Sequence, residues 1–156
     1  MAQSIDYYDV PDAPAANSLV PSVNVVVAND AGDILMIRGS DGHNWVLPGG
    51  TIDLGESLWQ AAVRRTREET GIECAITRLV GTYTDPRHVT LFPADGETRQ
   101  EFSIVLAAHA LGGRLTEGSD GFRWVPRDHV DGYSMDRATR FRIGHYLAGA
   151  AQPYIG

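Results

Sequence analysis

The chain has a single cysteine, Cys74, among 156 residues. One thiol excludes an internal disulfide, and its place in an apolar run marks it as a core filler rather than a nucleophile. Long hydrophobic runs are missing too. The longest, such as Val25–Ala28, are far too short to span a bilayer. The opening segment MAQSIDYYDVPDAP has neither the basic start nor the apolar centre of a signal peptide, so a cytoplasmic location is expected. Positive charge is scarce: 13 Lys and Arg stand against 20 Asp and Glu, giving a formal net charge of -7 and a pI near 5.1. That balance argues against a nucleic-acid polymer or an anionic membrane as partner. It leaves room for a small phosphorylated ligand, because a bound cation can reverse the local field. The five histidines show no close metal spacing, so no zinc site is expected.

What is present is the composition of an ordinary globular domain, 43% hydrophobic and 21% charged, with no repeat, low-complexity tract or interdomain linker. Residues 1–18, with Pro11 and Pro14 and no periodic pattern, read as an N-terminal arm ahead of one domain over 19–156. Tyr7 and Tyr8 can dock that arm on the body or on a second subunit. Ser22–Ala28 is β-branched and reads as a strand, and Asp33–Arg38 returns after the turn at Asn29–Gly32. Gly39–Gly50 reads as a loop. Ser57 and Gln60 form a capping-box pair and Gly71 a stop, which frames a helix of about 13 residues. Strands are expected at Glu73–Thr84, His88–Phe92, Arg99–Ala110 and Gly121–Val125, with a hairpin turn at Asp95-Gly96. Ser134–Gly149 closes the chain as a helix with Met135, Thr139, Ile143, Tyr146 and Leu147 toward the core. The order predicts an α/β sandwich: a mixed sheet with helices on both faces.

The central helix carries the chemistry. At 100° per residue, Trp59, Ala62, Val63 and Thr66 share one sector, expected to face the core. Ala61, Arg64, Arg65, Glu68 and Glu69 share another, with a small residue at its middle. Gly49-Gly50 and Gly55 permit a tight loop that brings Glu56 beside this second face. Glutamates one turn apart suit hard cations such as Mg²⁺ or Mn²⁺, which bridge diphosphate oxygens and activate water. The plain alternative is a solvated charged face. Two features weaken it: the Arg64/Glu68 and Arg65/Glu69 pairs run in the less stabilising order, and solvation does not explain the glycine-rich loop.

Gly50, Glu56, Arg64, Glu68, Glu69, Gly71 and Ile72 fall at the spacings of a Nudix box, preceded by Leu47-Pro48-Gly49-Gly50. The chain therefore resembles the Nudix hydrolase family over most of residues 20–150, which implies a Nudix-type α/β/α sandwich. One position departs from the pattern: Arg65 stands where the family has glutamate. Thr66 also replaces an apolar residue. An arginine at 65 changes the local formal charge by +2 and can pair with Glu69, so weakened metal binding and slowed catalysis are expected.

The resemblance implies metal ligation by Glu68 and Glu69 with Glu56 as a third, by Mg²⁺ or Mn²⁺, and a role for Arg64 in orienting the glutamates. The backbone of Gly49 or Gly50 can add an oxygen. A general base must come from outside the box: Glu101 at the start of an apolar strand is the first candidate, Glu97 and Asp120 weaker ones, all three weighed against ordinary surface carboxylates. Asp120 is also the only acid shortly before Trp124, where members often carry a glutamate. Arg38 and Arg99, at strand ends, are candidates to meet a substrate phosphate. Trp45, Tyr83 and Phe92 can stack on a base, although packing explains most aromatics. Pro86 is too imprecise a marker to name a substrate. The expected function is metal-dependent hydrolysis of a diphosphate bond in a nucleoside diphosphate-linked or nucleoside triphosphate substrate. The alternative is a nucleotide-binding module with little catalysis, in which Arg65 replaces part of the metal charge. The arm and the family's habits also suggest a homodimer.

Overall fold

Strand β3 (Ser22–Ala28) sets the architecture. Val23, Val25, Val26 and Val27 are all fully buried, and a strand buried on both faces must lie inside a sheet covered on both sides. A computed structural model describes residues 3–114 and 121–156 of the chain. Before β3 come β1 (Ile5–Tyr8) and β2 (Ser18–Leu19). After it come β4 (Ile34–Arg38), β5 (Trp45–Val46), β6 (Gly49–Thr51) and helix α1 (Leu58–Thr70). Strands β7 (Ile72–Tyr83), β8 (His88–Phe92), β9 (Glu97–Gln100), β10 (Ser103–Gly113) and β11 (Phe122–Val125) follow. A 3-10 turn (Arg127–Gly132), helix α2 (Arg137–Ala148) and β12 (Tyr154–Ile155) complete it.

The larger sheet has the order β11-β4-β3-β10-β7-β12, with β5 on β4 and β6 on β3. It is mixed: β10 runs parallel to β3 and β12 parallel to β7, while β7, β4 and β11 pair antiparallel. Alternation along the strands sorts the core. Val23, Val25, Val27, Leu35 and Leu106 meet Ala61 and Ala62 of α1, whereas Val26, Met36, Val105 and Ala107 meet Ile143 of α2. The expected sandwich is therefore present, one helix to each face.

Three expectations change. The segment 1–18 is not an irregular arm within its described part. β1 pairs antiparallel with β8 and β2 runs beside β9, giving a second sheet, β1-β8-β9-β2. The single strand expected over Arg99–Ala110 is two strands. The chain breaks at Glu101-Phe102, where the Glu101 N–H bonds to His88 O in the small sheet (3.0 Å) and Phe102 O accepts from Ser22 N in the large one (3.0 Å). Finally, α1 buries Ala61, Ala62, Thr66 and Thr70, and Trp59 stands 57% exposed. Alanines let the helix approach β3 closely, which leaves no room there for an indole. The two buried threonines satisfy their hydroxyls on the carbonyls one turn back, Ala62 O and Thr66 O.

Both ends of α1 are fixed as its sequence predicts. Ser57 Oγ accepts from Gln60 N and Gln60 Oε1 from Ser57 N, while Gly71, at φ 80°, donates its N–H to Arg67 O. Among the described residues no helix is long and apolar enough to cross a membrane.

Candidate functional site

The site begins where β6 lies against β3, pairing Gly49 with Asn24 and Gly50 with Val23. Gly49 has φ 153°, and a Cβ there would collide with Val23 O, so this close pairing requires glycine. At Gly50 the limit is Arg65, whose Cζ would lie 2.9 Å from an added Cβ. Arg65 reaches back from α1 and donates to Thr51: Nη2 to the carbonyl and to Oγ1, both at 3.0 Å, and Nε to the carbonyl at 3.3 Å. No Arg65–Glu69 ion pair forms, contrary to expectation. The guanidinium acts as a strut under the loop and reaches Glu69 only through its field.

Glu69 instead accepts the Gly49 N–H at 3.1 Å on one oxygen; its other oxygen has no hydrogen bond among the described residues. Burial pushes its carboxyl above the usual range, and the Gly49 bond and Arg65 charge only partly offset this. Glu56 is held differently. Arg64 Nε donates to Oε2 (2.8 Å), Arg64 Nη2 also bonds Oε1, and the Asp53 N–H donates to Oε1 (2.8 Å). The Arg64 bonds hold the Glu56 carboxyl down at about 2. Arg64 Nη1 also bonds Glu68 Oε2 at 3.1 Å, so one guanidinium bridges both glutamates. Glu68 is otherwise exposed.

A cleft of about 260 Å³ opens beside Gly49, Gly50 and Glu69. Glu101, His88 and Arg142 line the same cleft. The break between β9 and β10 places Glu101 there, with Arg142 Nη2 at 3.3 Å from Oε1 and His88 Nδ1 at 3.5 Å from Oε2. Arg142 is 8% exposed and also donates Nη1 to Asn24 Oδ1 at 2.6 Å. His88 Nε2 lies 3.4 Å from Asp6, which accepts from Thr90 Oγ1 at 2.6 Å. Burial pulls the His88 pKa down, but the Asp6 bond and the Glu101 charge outweigh it and leave the imidazole above its ordinary value.

Of the candidates read from sequence, Gly49, Gly50, Glu69 and Glu101 are brought to one cleft, and Glu56, Arg64 and Glu68 form a linked group beside it. Arg38 lies over the Trp45 ring (5.1 Å), next to the cleft residues Ile37 and Val46 but outside the lining. Arg99 does not reach it: it pairs with Glu97 (2.9 Å) and stacks on Phe92 (4.4 Å) in the small sheet. Glu97 is engaged by Arg99 and Ser18. Tyr83 packs with Phe141, His145 and Tyr154. Asp120 lies outside the described residues. Sequence reasoning missed Asn24, His88 and Arg142. Arg142 carries a signal: it sits beside Ile143 and three residues after Thr139, on the stripe of α2 that packs on the core.

Among the described residues no three His, Cys, Asp or Glu side chains converge as a ready-made metal cage. The donor chemistry still fits Mg²⁺ or Mn²⁺. Such ions commonly use one or two carboxylates and complete their shell with water and substrate phosphate. Among the described residues, Glu69 and Glu68 each keep an oxygen without a protein partner, whereas Glu56 has both engaged.

The model of the NUDIX domain matches residues 18–146. A Bacillus subtilis protein named as a candidate 8-oxo-dGTP diphosphatase is 32% identical over 128 residues, 81% of this chain and 78% of its own length. A MutT-like protein of Streptomyces ambofaciens is 32% identical over 136 residues, 86% of this chain and 80% of its own. Among solved structures, a MutT protein from Bacillus halodurans superposes with a TM-score of 0.64 at 22% identity, covering 87% of each chain.

Proposed function

The chain belongs to the NUDIX domain family of hydrolases, and from that premise we propose that it hydrolyses the diphosphate bond of a nucleotide with help from Mg²⁺ or Mn²⁺. The observation that carries the proposal is the cleft lined jointly by Glu69, the Gly49-Gly50 loop and Glu101. Relatives are named as a candidate 8-oxo-dGTP diphosphatase, an RNA pyrophosphohydrolase and an ADP-ribose pyrophosphatase, names that share a diphosphate linkage as the bond cleaved. We carry over that shared linkage, not any one of the substrates.

Glu68 and Glu69 would hold the cation. When bound, it neutralises diphosphate charge and lowers the pKa of attached water. The remaining work falls to the chain. Arg64 ties Glu56 to Glu68 and so fixes the side chain of an exposed ligand. The Gly49 N–H orients Glu69. Glu101, held by Arg142 and His88, lines the cleft as the candidate base that takes the proton from the attacking water. Water adds to phosphorus, the bridging oxygen departs, and two phosphate-terminated products leave.

The binding-only reading drew on Arg65. Its bonds to Thr51 place it beneath the loop rather than in the cleft lining, which favours an enzyme whose loop is braced by arginine. Phosphate release from a panel of nucleotides with Mg²⁺ and Mn²⁺, for the wild type and Arg65→Glu, tests the proposal. Turnover in both supports it. Turnover only in Arg65→Glu favours the binding module.

A further inference from the structure

We propose that Arg137 is a substrate-binding residue whose guanidinium takes a phosphoryl group at the far, aromatic end of the cleft; this rests on reading the cleft as a diphosphate site. Beyond Glu101 and Arg142 the cleft continues into a second cavity of about 140 Å³, which shares His88, Glu101, Ala138 and Arg142 with the first. The two ends differ in charge. The first cavity is lined by four carboxylates, Asp6, Glu69, Glu101 and Asp136, against Arg142, whereas the second is lined by Arg87, Arg137 and Arg142 against Asp85 and Glu101.

Two of these three arginines are already committed. Arg87 bonds both oxygens of Asp85, and Arg142 is shared between Glu101 and Asn24. Arg137 is different. Its Cζ lies 3.4 Å from the centre of the Tyr8 ring and 5.3 Å from that of Phe141, and among the described residues no oxygen accepts from it. Stacking on an aromatic face orients a guanidinium while leaving its N–H edge for an anion, and that fork matches phosphate oxygens. A nucleobase fits this end less well. Arg137 covers Tyr8, and Tyr83 packs against His145 and Tyr154, so the rings already have neighbours. Arg142 Nε, on the wall between the cavities, is buried and has no acceptor among the described residues. Three arginines thus face two carboxylates at this end, in a chain whose net charge is -7.

The substrate class that follows carries a phosphoryl group beyond the scissile diphosphate. Either a longer polyphosphate chain or a phosphate monoester on the sugar supplies it. A diphosphate joined only to neutral groups gains nothing from Arg137.

Titration of the metal-free protein in EDTA with inorganic phosphate, followed by NMR of backbone amides and arginine Nε–H groups, tests the site without turnover. Without a metal, the acidic end repels phosphate. Arg137→Gln should weaken phosphate binding about tenfold. Arg140→Gln, the same charge change on a residue bonded to Tyr133 O, should stay within about twofold. Tyr8→Leu, which removes the platform, should weaken binding in the same direction as Arg137→Gln. Equal effects of the two arginine variants, or shifts confined to the Gly49 and Gly50 amides, would overturn the proposal. Steady-state kinetics then separate the sources. Arg137→Gln should raise KM and spare kcat for a nucleoside triphosphate if the group is polyphosphate, or for ADP-ribose 2′-phosphate but not ADP-ribose if it is a sugar monoester. KM unchanged for both refutes the assignment. A protein that binds phosphate through Arg137 yet hydrolyses nothing refutes the catalytic reading instead.

Discussion

Replacing Arg65 with glutamate should pull stability and metal affinity in opposite directions. The guanidinium makes three bonds to Thr51, at 3.0, 3.0 and 3.3 Å, two of them on one carbonyl oxygen. A hydrogen bond from a charged donor contributes about 1.5–3 kcal/mol, but Arg65 is only half-buried and a shared acceptor counts less than twice. A net loss of about 2 kcal/mol is reasonable. For a domain of this length that lowers Tm by about 4–8 °C, at roughly 2–4 °C per kcal/mol. Arg65→Glu also removes the positive field that favours the ionised form of Glu69 and adds an acid beside it. Metal-free protein should therefore lose stability, while the Tm rise produced by added Mg²⁺ should exceed that of the wild type. Arg65→Lys keeps the charge without the fork and should lose at least half as much as the glutamate variant. Scanning calorimetry of all three in EDTA and in Mg²⁺ decides the matter. An unchanged Tm in EDTA for both variants would refute the strut, and an unchanged Mg²⁺ response would refute the electrostatic argument.

Other consequences are as direct. Because burial raises the Glu69 pKa, ionised Glu69 opposes folding above its folded pKa, and that opposition fades as pH falls through the ordinary glutamate range. Glu69→Gln should thus be at least as stable as the wild type at pH 7 with a shrinking advantage toward pH 4, while turnover falls about a hundredfold or more; urea midpoints and initial rates read the two effects. Glu56 has the opposite sign: its pKa is lowered to about 2, so its contribution is full above the ordinary range and is lost as pH falls toward 2. The stability difference between wild type and Glu56→Gln should therefore narrow only between about pH 5 and 2. Arg142→Met leaves Glu101 with only His88 and takes the charged donor from Asn24, and should cost about 3 kcal/mol, measured by urea unfolding.

The elements that sequence defines well are those whose signals are local. The capping box at Ser57 and Gln60, the stop at Gly71 and the turn at Asp95-Gly96 each act over a few residues, and each appears where expected. The box residues share one helix and its leading loop, so fixed spacing brings them together. Arg142, His88, Asn24 and Tyr8 come from four elements far apart in the chain, and nothing local joins them. β1 was hidden for the same reason: Ile5–Tyr8 is a strand because His88–Phe92 offers it an edge. In α1, Ala62, Val63 and Thr66 face the core as their spacing predicts, but Trp59 and Ala61 exchange sides, because hydrophobicity favours Trp59 whereas close approach to β3 favours Ala61.

Attack of water on a diphosphate in the cleft that Glu69 and Glu101 line is tested by hydrolysis of a nucleotide substrate in ¹⁸O-labelled water with Mg²⁺, with the products weighed by mass spectrometry, for the wild type, Glu69→Gln and Glu101→Gln. The wild type should give one labelled oxygen on one phosphate product, and either variant almost no product. Product formed at the wild-type rate by both variants, or no labelled product from the wild type with any nucleotide and either metal, would contradict it.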